Sequence, residues 1–192
     1  MPKTAGKHTS AQIMDIAQKL VQTRGFNAFS YADIAKVLDV STASLHYHFA
    51  SKAVLGVKLI ERYEQTFGEA LARIDSDEAD VRLRLRRYVE LYSQVLADER
   101  MCLCGMLAAE IVSLPKPMQE ALDSYFRLNE RWLASLLERG KAEGVLRFGG
   151  VAGEAAQYII ATLEGTMMLA RSQGGMARFD ASVRRLLADF GL

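Results

Sequence analysis

The chain is predicted to be all-α, with about nine helices. Three observations carry this. Only three prolines occur in 192 residues, well below the usual ~5%. Ala, Leu, Arg and Glu, all good helix formers, recur throughout. Apolar residues return at three- and four-residue spacing, and no stretch alternates with the two-residue period of a strand.

The helices follow in order. Residues 1–8 (MPKTAGKH) are small, polar and basic and read as an arm. Thr9 or Ser10 then offers an N-cap. Ile13, Ile16, Ala17, Leu20 and Val21 form one apolar face, and Gly25 stops the helix. Ser30, with Asp33 three residues on, approximates a capping box. It opens a short helix with Ile34, Ala35, Val37 and Leu38 on its apolar side. Asp39-Val40 makes a turn, and Ser41 caps a third helix over 42–48. Ser51 caps a long fourth helix through Leu55, Leu59, Tyr63 and Phe67, to about residue 73.

Beyond it, the acidic run 75–78 reads as the opening of a helix to Ala97. An apolar segment, 101–112, follows. Pro115 and Pro117 open a long helix to about Arg139. Gly140, Gly144, Gly149 and Gly150 mark a loop. The last two helices cover about 152–172 and 176–190.

Composition excludes several classes of function. With 50% apolar and 24% charged residues the chain is globular rather than disordered. No apolar run approaches the ~20 residues of a membrane span, and the polar N-terminus lacks a secretory signal. Two cysteines, two positions apart, give no disulfide framework, so a reduced, cytoplasmic protein is expected. The three histidines, His8, His46 and His48, all lie in the arm or the third helix. His46 and His48 would point about 200° apart on a helix, so one ion cannot take both. Without a base for a nucleophile, a Gly-rich phosphate loop or metal-ligand spacing, neither an enzyme, a cofactor nor a metal is expected.

The net charge of +1 hides an asymmetry. Residues 1–62 carry eight Lys/Arg against four acids, and residues 63–192 carry sixteen against nineteen. A +4 head on a −3 body points to a polyanion partner for the head. A helix of about eight residues, a three-residue turn and a helix of about seven is the spacing of a helix-turn-helix, whose second helix enters the DNA major groove. On that helix Thr42, Ala43, Ser44, His46 and Tyr47 fall outward, while Leu45 and Phe49 fall inward. Ser30 and Lys52 lie at helix N-termini, where backbone N–H groups favour phosphate. The three serines serve equally well as plain helix caps.

Residues 25–55, with Gly25, Ser30, Ile34-Ala35, Val40-Ser41, Leu45, His48-Phe49, Ser51-Lys52 and Leu55, resemble the DNA-binding region of the tetracycline-repressor-like (TetR) family. Two positions depart from the family pattern. Asp39 stands in the turn where Gly is usual, and His46 stands where Tyr is usual, with Tyr47 beside it. The resemblance implies phosphate contacts for Ser30, Ser41, Tyr47, His48 and Lys52, and base contacts for Thr42, Ala43 and Tyr47. Basic arm residues Lys3, Lys7 and His8 are further candidates for DNA.

The resemblance also implies a head over residues 1–52 and a ligand-binding, dimerising domain over 53–192. The expected partners are operator DNA, a small-molecule effector and a second copy of the chain. Pocket candidates are Tyr88, Tyr92, Cys102, Cys104, Met106, Glu110, Tyr125, Phe126 and Trp132; ordinary core packing is the other reading of each. Ala155, Ile159, Leu163 and Met167, then Val183, Leu186 and Leu187, are the expected dimer contacts, because a helix apolar on several faces needs two partners. Finally, Cys102, Gly105 and Glu110 resemble a branch of the family with a Cys-Leu-x-Gly segment. Some of its members sense electrophiles or oxidants. That leaves Cys102 and Cys104 as candidate sensor thiols, with Arg100 placed to favour a thiolate.

Overall fold

The computed structural model describes residues 4–192, with side chains from Ser10 onward. It is helical throughout those residues: α1 (Thr4–Arg24), α2 (Tyr31–Leu38), α3 (Thr42–His48), α4 (Lys52–Asp77), α5 (Val81–Ala97), α6 (Leu103–Ala109), α7 (Lys116–Ala142), α8 (Ala152–Ser172) and α9 (Gly175–Asp189). A single 3-10 turn, Ile111–Ser113, links α6 to α7. The arm residue Lys3 and the side chains of Lys7 and His8 lie outside the described residues.

The chain divides into two compact units. The first comprises Met1–Glu64 and Leu103–Tyr125; the second comprises Gln65–Cys102 and Phe126–Leu192. The compact units therefore do not follow the cut expected after residue 52. The first unit runs on into α4 and recruits α6, because α6 packs on α1.

In the first unit Ile13, Ala17 and Val21 line the buried side of α1, and Ile34, Leu45 and Phe49 meet them from α2 and the end of α3. Leu55, Leu59 and Ile60 close the core from α4. The guanidinium of Arg62 donates to Asp15 and Gln18, each at 2.7 Å, tying α4 to α1. In the second unit α8 packs on α9, and α5 packs on both. Leu85, Tyr88, Ile159, Leu163, Met167, Phe179 and Leu186 form its centre.

Most predicted helix ends hold. Gly25 takes φ +96° and its N–H reaches Val21 at 2.9 Å, ending α1. Ser41 and Ser51 accept the N–H of Ser44 and Val54. Three predictions need correction. α1 begins at Thr4, not after a cap at Thr9 or Ser10. The acidic run does not open α5: α4 continues to Asp77, and Asp80 caps α5 by accepting the N–H of Arg82 at 2.8 Å. Asp75 instead accepts Arg84 at 3.0 Å and the Trp132 indole N–H at 2.8 Å, so it joins α4 to α5 and α7. Gly140 lies inside α7 rather than in a loop. A side chain there would strike Leu146 and Val81, so the missing Cβ lets the following loop fold back on the helix.

Candidate nucleic-acid interface

The head is built around the turn between α2 and α3. Asp33 accepts the backbone N–H and the hydroxyl of Ser30, both at 2.7 Å, which starts α2. These hydrogen bonds lower the Asp33 pKa. Asp39 ends α2 at φ 54°, ψ 46°, in the left-handed region that Asp tolerates. The chain reverses, Val40 N–H reaches Ala35 at 3.1 Å, and Ser41 starts α3. The Tyr31 hydroxyl donates to the Phe49 carbonyl at 2.9 Å, locking the first residue of α2 to the end of α3.

This geometry sorts the sequence-predicted DNA contacts. Leu45 and Phe49 are buried, as expected. Ser41, Thr42, Ala43, His46 and Tyr47 are exposed; Ser44 and His48 are half-buried. His46 leans on Tyr31, ring centroids 4.7 Å apart, with its Nδ1 3.3 Å from the Ala50 carbonyl. Tyr47 is 86% exposed. Of the two aromatics that compete for the family's Tyr position, Tyr47 therefore has the reach. The face carries no carboxylate, which suits an anionic partner.

Lys52 and Ser30 are placed differently. The Lys52 ammonium donates to the carbonyls of Phe26 and Phe29 and lies 4.5 and 4.2 Å over their rings. Its burial lowers the pKa, against the pull of Glu110 and Asp33. Lys52 thus clamps the α1–α2 loop from beneath rather than standing free on the surface. At Ser30 the anion beside the helix N-terminus is the chain's own Asp33.

The same loop corrects Glu110. That carboxylate accepts the backbone and side-chain N–H of Asn27, both at 3.1 Å, so it belongs to the head and not to a pocket. Asn27 also donates to Ser113 at 2.7 Å. The remaining pocket candidates separate too. Cys104, Met106 and Tyr125 belong to the first unit, and Tyr88, Tyr92, Cys102, Phe126 and Trp132 to the second. There, Tyr88 donates to Asn129 at 2.7 Å, Asn129 donates to Tyr92 at 3.1 Å, and the two hydroxyls lie 3.2 Å apart. Trp132 stacks on Tyr88 at 5.6 Å. Burial raises both phenol pKa values. Arg100 pairs with Asp98, so its charge is shared with a carboxylate rather than reserved for Cys102.

Two family models match the chain. The N-terminal one, bacterial regulatory proteins of the tetR family, covers residues 13–56. The second, the tetracyclin repressor-like C-terminal domain, covers residues 70–186. The chain belongs to the TetR family of transcriptional regulators. Among solved structures, a TetR-family regulator from Agrobacterium tumefaciens shares 35% identity at a TM-score of 0.93, covering 96% of this chain and 98% of that one. A TetR regulator from Legionella pneumophila shares 29% at 0.85, covering 95% and 97%. The transcriptional repressor NemR of Escherichia coli K12 is 27% identical over 178 residues, 89% of this chain and 88% of NemR.

The family resemblance leads to the expectation of a second subunit on α8 and α9. The residues expected there need correction. Ala155, Ile159, Leu163, Met167, Leu186 and Leu187 are buried inside their own chain, and Val183 is half-buried. Surface already removed from water cannot be buried again by a partner. The opposite side of α8 is open: Tyr158 is 49% exposed, Met168 51% and Leu169 50%, with Ala161 exposed between them. Sequence reading named the buried side because α8 is apolar all round, so periodicity gave no direction. It also missed Asn129, Asn27 and Glu164. Of these only Glu164 left a signal, as a lone acid in the apolar centre of α8.

Proposed function

We propose that the chain is a homodimeric repressor that holds a palindromic operator through α3 of each subunit and is released by a small-molecule effector. The observation that carries this is α3 itself, a short helix with Leu45 and Phe49 buried and Thr42, Ala43 and Tyr47 presented without a carboxylate. Thr42, Ala43 and Tyr47 read base edges; Ser41, Tyr47 and His48 meet phosphates. The open α8–α9 side, with Tyr158, Ala161, Met168 and Leu169, mates with its copy and sets the half-site spacing. Both α4 and α7 contribute to each compact unit, which makes them the route by which an effector shifts the spacing of the heads. The protein acts in the cytoplasm, without catalysis of its own. The test is operator binding by the purified dimer against Tyr47→Ala. Affinity should fall by at least tenfold with an unchanged melting temperature; equal affinity at equal salt overturns the assignment.

A second reading is favoured by one observation: Cys102 immediately precedes α6, where a helix N-terminus favours a thiolate. In that reading an electrophile modifies Cys102 and releases the operator. Cys104, the other candidate thiol, is buried in the first unit. N-ethylmaleimide, with the modified residue identified by mass spectrometry, decides this. Unchanged operator affinity after full modification of Cys102 excludes it.

A further inference from the structure

Both carboxylate oxygens of Glu164 are shielded from solvent, and neither receives a hydrogen bond from an N–H or O–H donor; the Cys102 thiol is the donor beside them. The Cys102 thiol is near enough to ease the charge slightly, but S–H is a weak donor. The stronger donors of this cluster are engaged elsewhere. The Tyr88 hydroxyl proton goes to Asn129, the Asn129 amide goes to Tyr92, and the Tyr92 hydroxyl faces Tyr88. The network closes on itself and leaves Glu164 outside. Arg84 is likewise committed, to Asp75 and the Glu78 carbonyl. A buried carboxylate whose hydrogen-bond donor is a thiol alone is costly, and Gln or Leu in its place would fold at less cost.

The surroundings indicate what the missing partner is. Glu164 acts through space on Tyr88 and Tyr92. Trp132 stacks on Tyr88, and Phe67 meets both tyrosines edge-on at 6.3 Å. Aromatic rings beside one unpaired negative charge attract a cation and repel an anion. We propose that the effector carries a cationic nitrogen, an ammonium or amidinium, that pairs with Glu164 while its apolar body lies against the rings of Tyr88, Tyr92 and Trp132. This rests on the effector-released reading above and specifies the chemical class of the effector.

Pairing with a cation requires the ionised carboxylate. Burial pushes the Glu164 carboxyl up to about 7, so at pH 6 the empty site is mostly protonated and each cation bound must expel a proton. The titratable groups acting with it are Cys102, Tyr88 and Tyr92. The charged residues of α9 (Arg178, Asp180, Arg184, Arg185 and Asp189) are all exposed.

The test uses three probes of nearly one size on the intact dimer: benzylammonium, benzyl alcohol and benzoate. In calorimetry at pH 8 the cation should bind at least tenfold more tightly than the other two. Between pH 8 and pH 6 its affinity should fall about tenfold, as the ionised fraction of Glu164 falls. Proton release at pH 6 should approach one per site. Glu164→Gln should erase both the preference and the pH dependence. It should do so in a folded dimer, because Gln resembles the protonated acid. Should that variant misfold, Glu164→Asp, which withdraws the charge by one methylene, should weaken the cation and leave benzyl alcohol unchanged. Equal or tighter binding of benzoate or benzyl alcohol, no measurable cation binding at the highest soluble concentration, or undiminished cation binding by Glu164→Gln overturns the proposal. Operator release is read separately. Release by a neutral or anionic probe keeps the effector reading and removes the cation; cation binding with an intact operator complex does the reverse.

Discussion

Asp39 and Glu164 illustrate how single side chains bear a local cost. Asp39 holds a left-handed backbone, φ 54°, where the family uses Gly. Asp39→Gly should leave the melting temperature unchanged or raise it slightly. Asp39→Val, with a branched Cβ, should cost about 1–2 kcal/mol, seen as a lower urea midpoint. Glu164 bears a larger cost. Its folded pKa, about 7, exceeds the ordinary 4.5. Between those values the unfolded chain has released the proton and the folded one has not. Stability should therefore fall as pH rises from about 4.5 to 7, by about 3 kcal/mol in all, and level off above. Urea midpoints from pH 5 to 8 check this, and Glu164→Gln should flatten the slope and be the more stable protein at pH 8. Although part of the residue reaches the surface, the carboxylate oxygens do not, so solvent screening is small.

The helices show which contacts hold an element and which merely decorate it. The loop between α1 and α2 is pinned by Lys52 below and by Glu110 at Asn27. Lys52→Met should remove two charge-assisted hydrogen bonds and destabilise the head by about 2 kcal/mol or more. DNA binding should weaken as a consequence of lost folding, and circular dichroism melts should show both together. On α8 the two sides should separate cleanly. Leu163→Ala opens a cavity in the chain's own core and should cost about 2–5 kcal/mol without changing the mass in solution. Met168→Glu, on the open side, should leave the subunit folded and give a monomer by light scattering.

For the assembled regulator, charge sets a ceiling on the electrostatic share of DNA affinity. The two heads of the proposed dimer carry eight Lys/Arg each and so neutralise at most about sixteen phosphates. The plot of log affinity against log salt should then be no steeper than about −14. A steeper slope would mean that charge outside the heads also contacts DNA. Because each head alone binds weakly, the Met168→Glu monomer should lose operator binding far beyond the loss of any single phosphate contact.

The helical class, many of the helix boundaries and the helix-turn-helix were legible in residue order. They depend on local physics: the caps at Ser41 and Ser51, the stop at Gly25 and the inward spacing of Leu45 and Phe49. The family likeness was legible for the same reason, since it lies in one gapless stretch. The direction of long or apolar side chains was not. Lys52 reads as a surface cation, but the carbonyls of Phe26 and Phe29 draw it under the loop. Glu110 reads as a pocket acid until Asn27, eighty-three positions away, donates to it. The α8 helix is apolar all round, so only packing against α5 and α9 reveals which side stays open. Local hydrogen bonds and periodicity are written along the chain. The partner of a buried charge and the face turned to a second molecule are set by residues far away in sequence, and those meet only when the core closes.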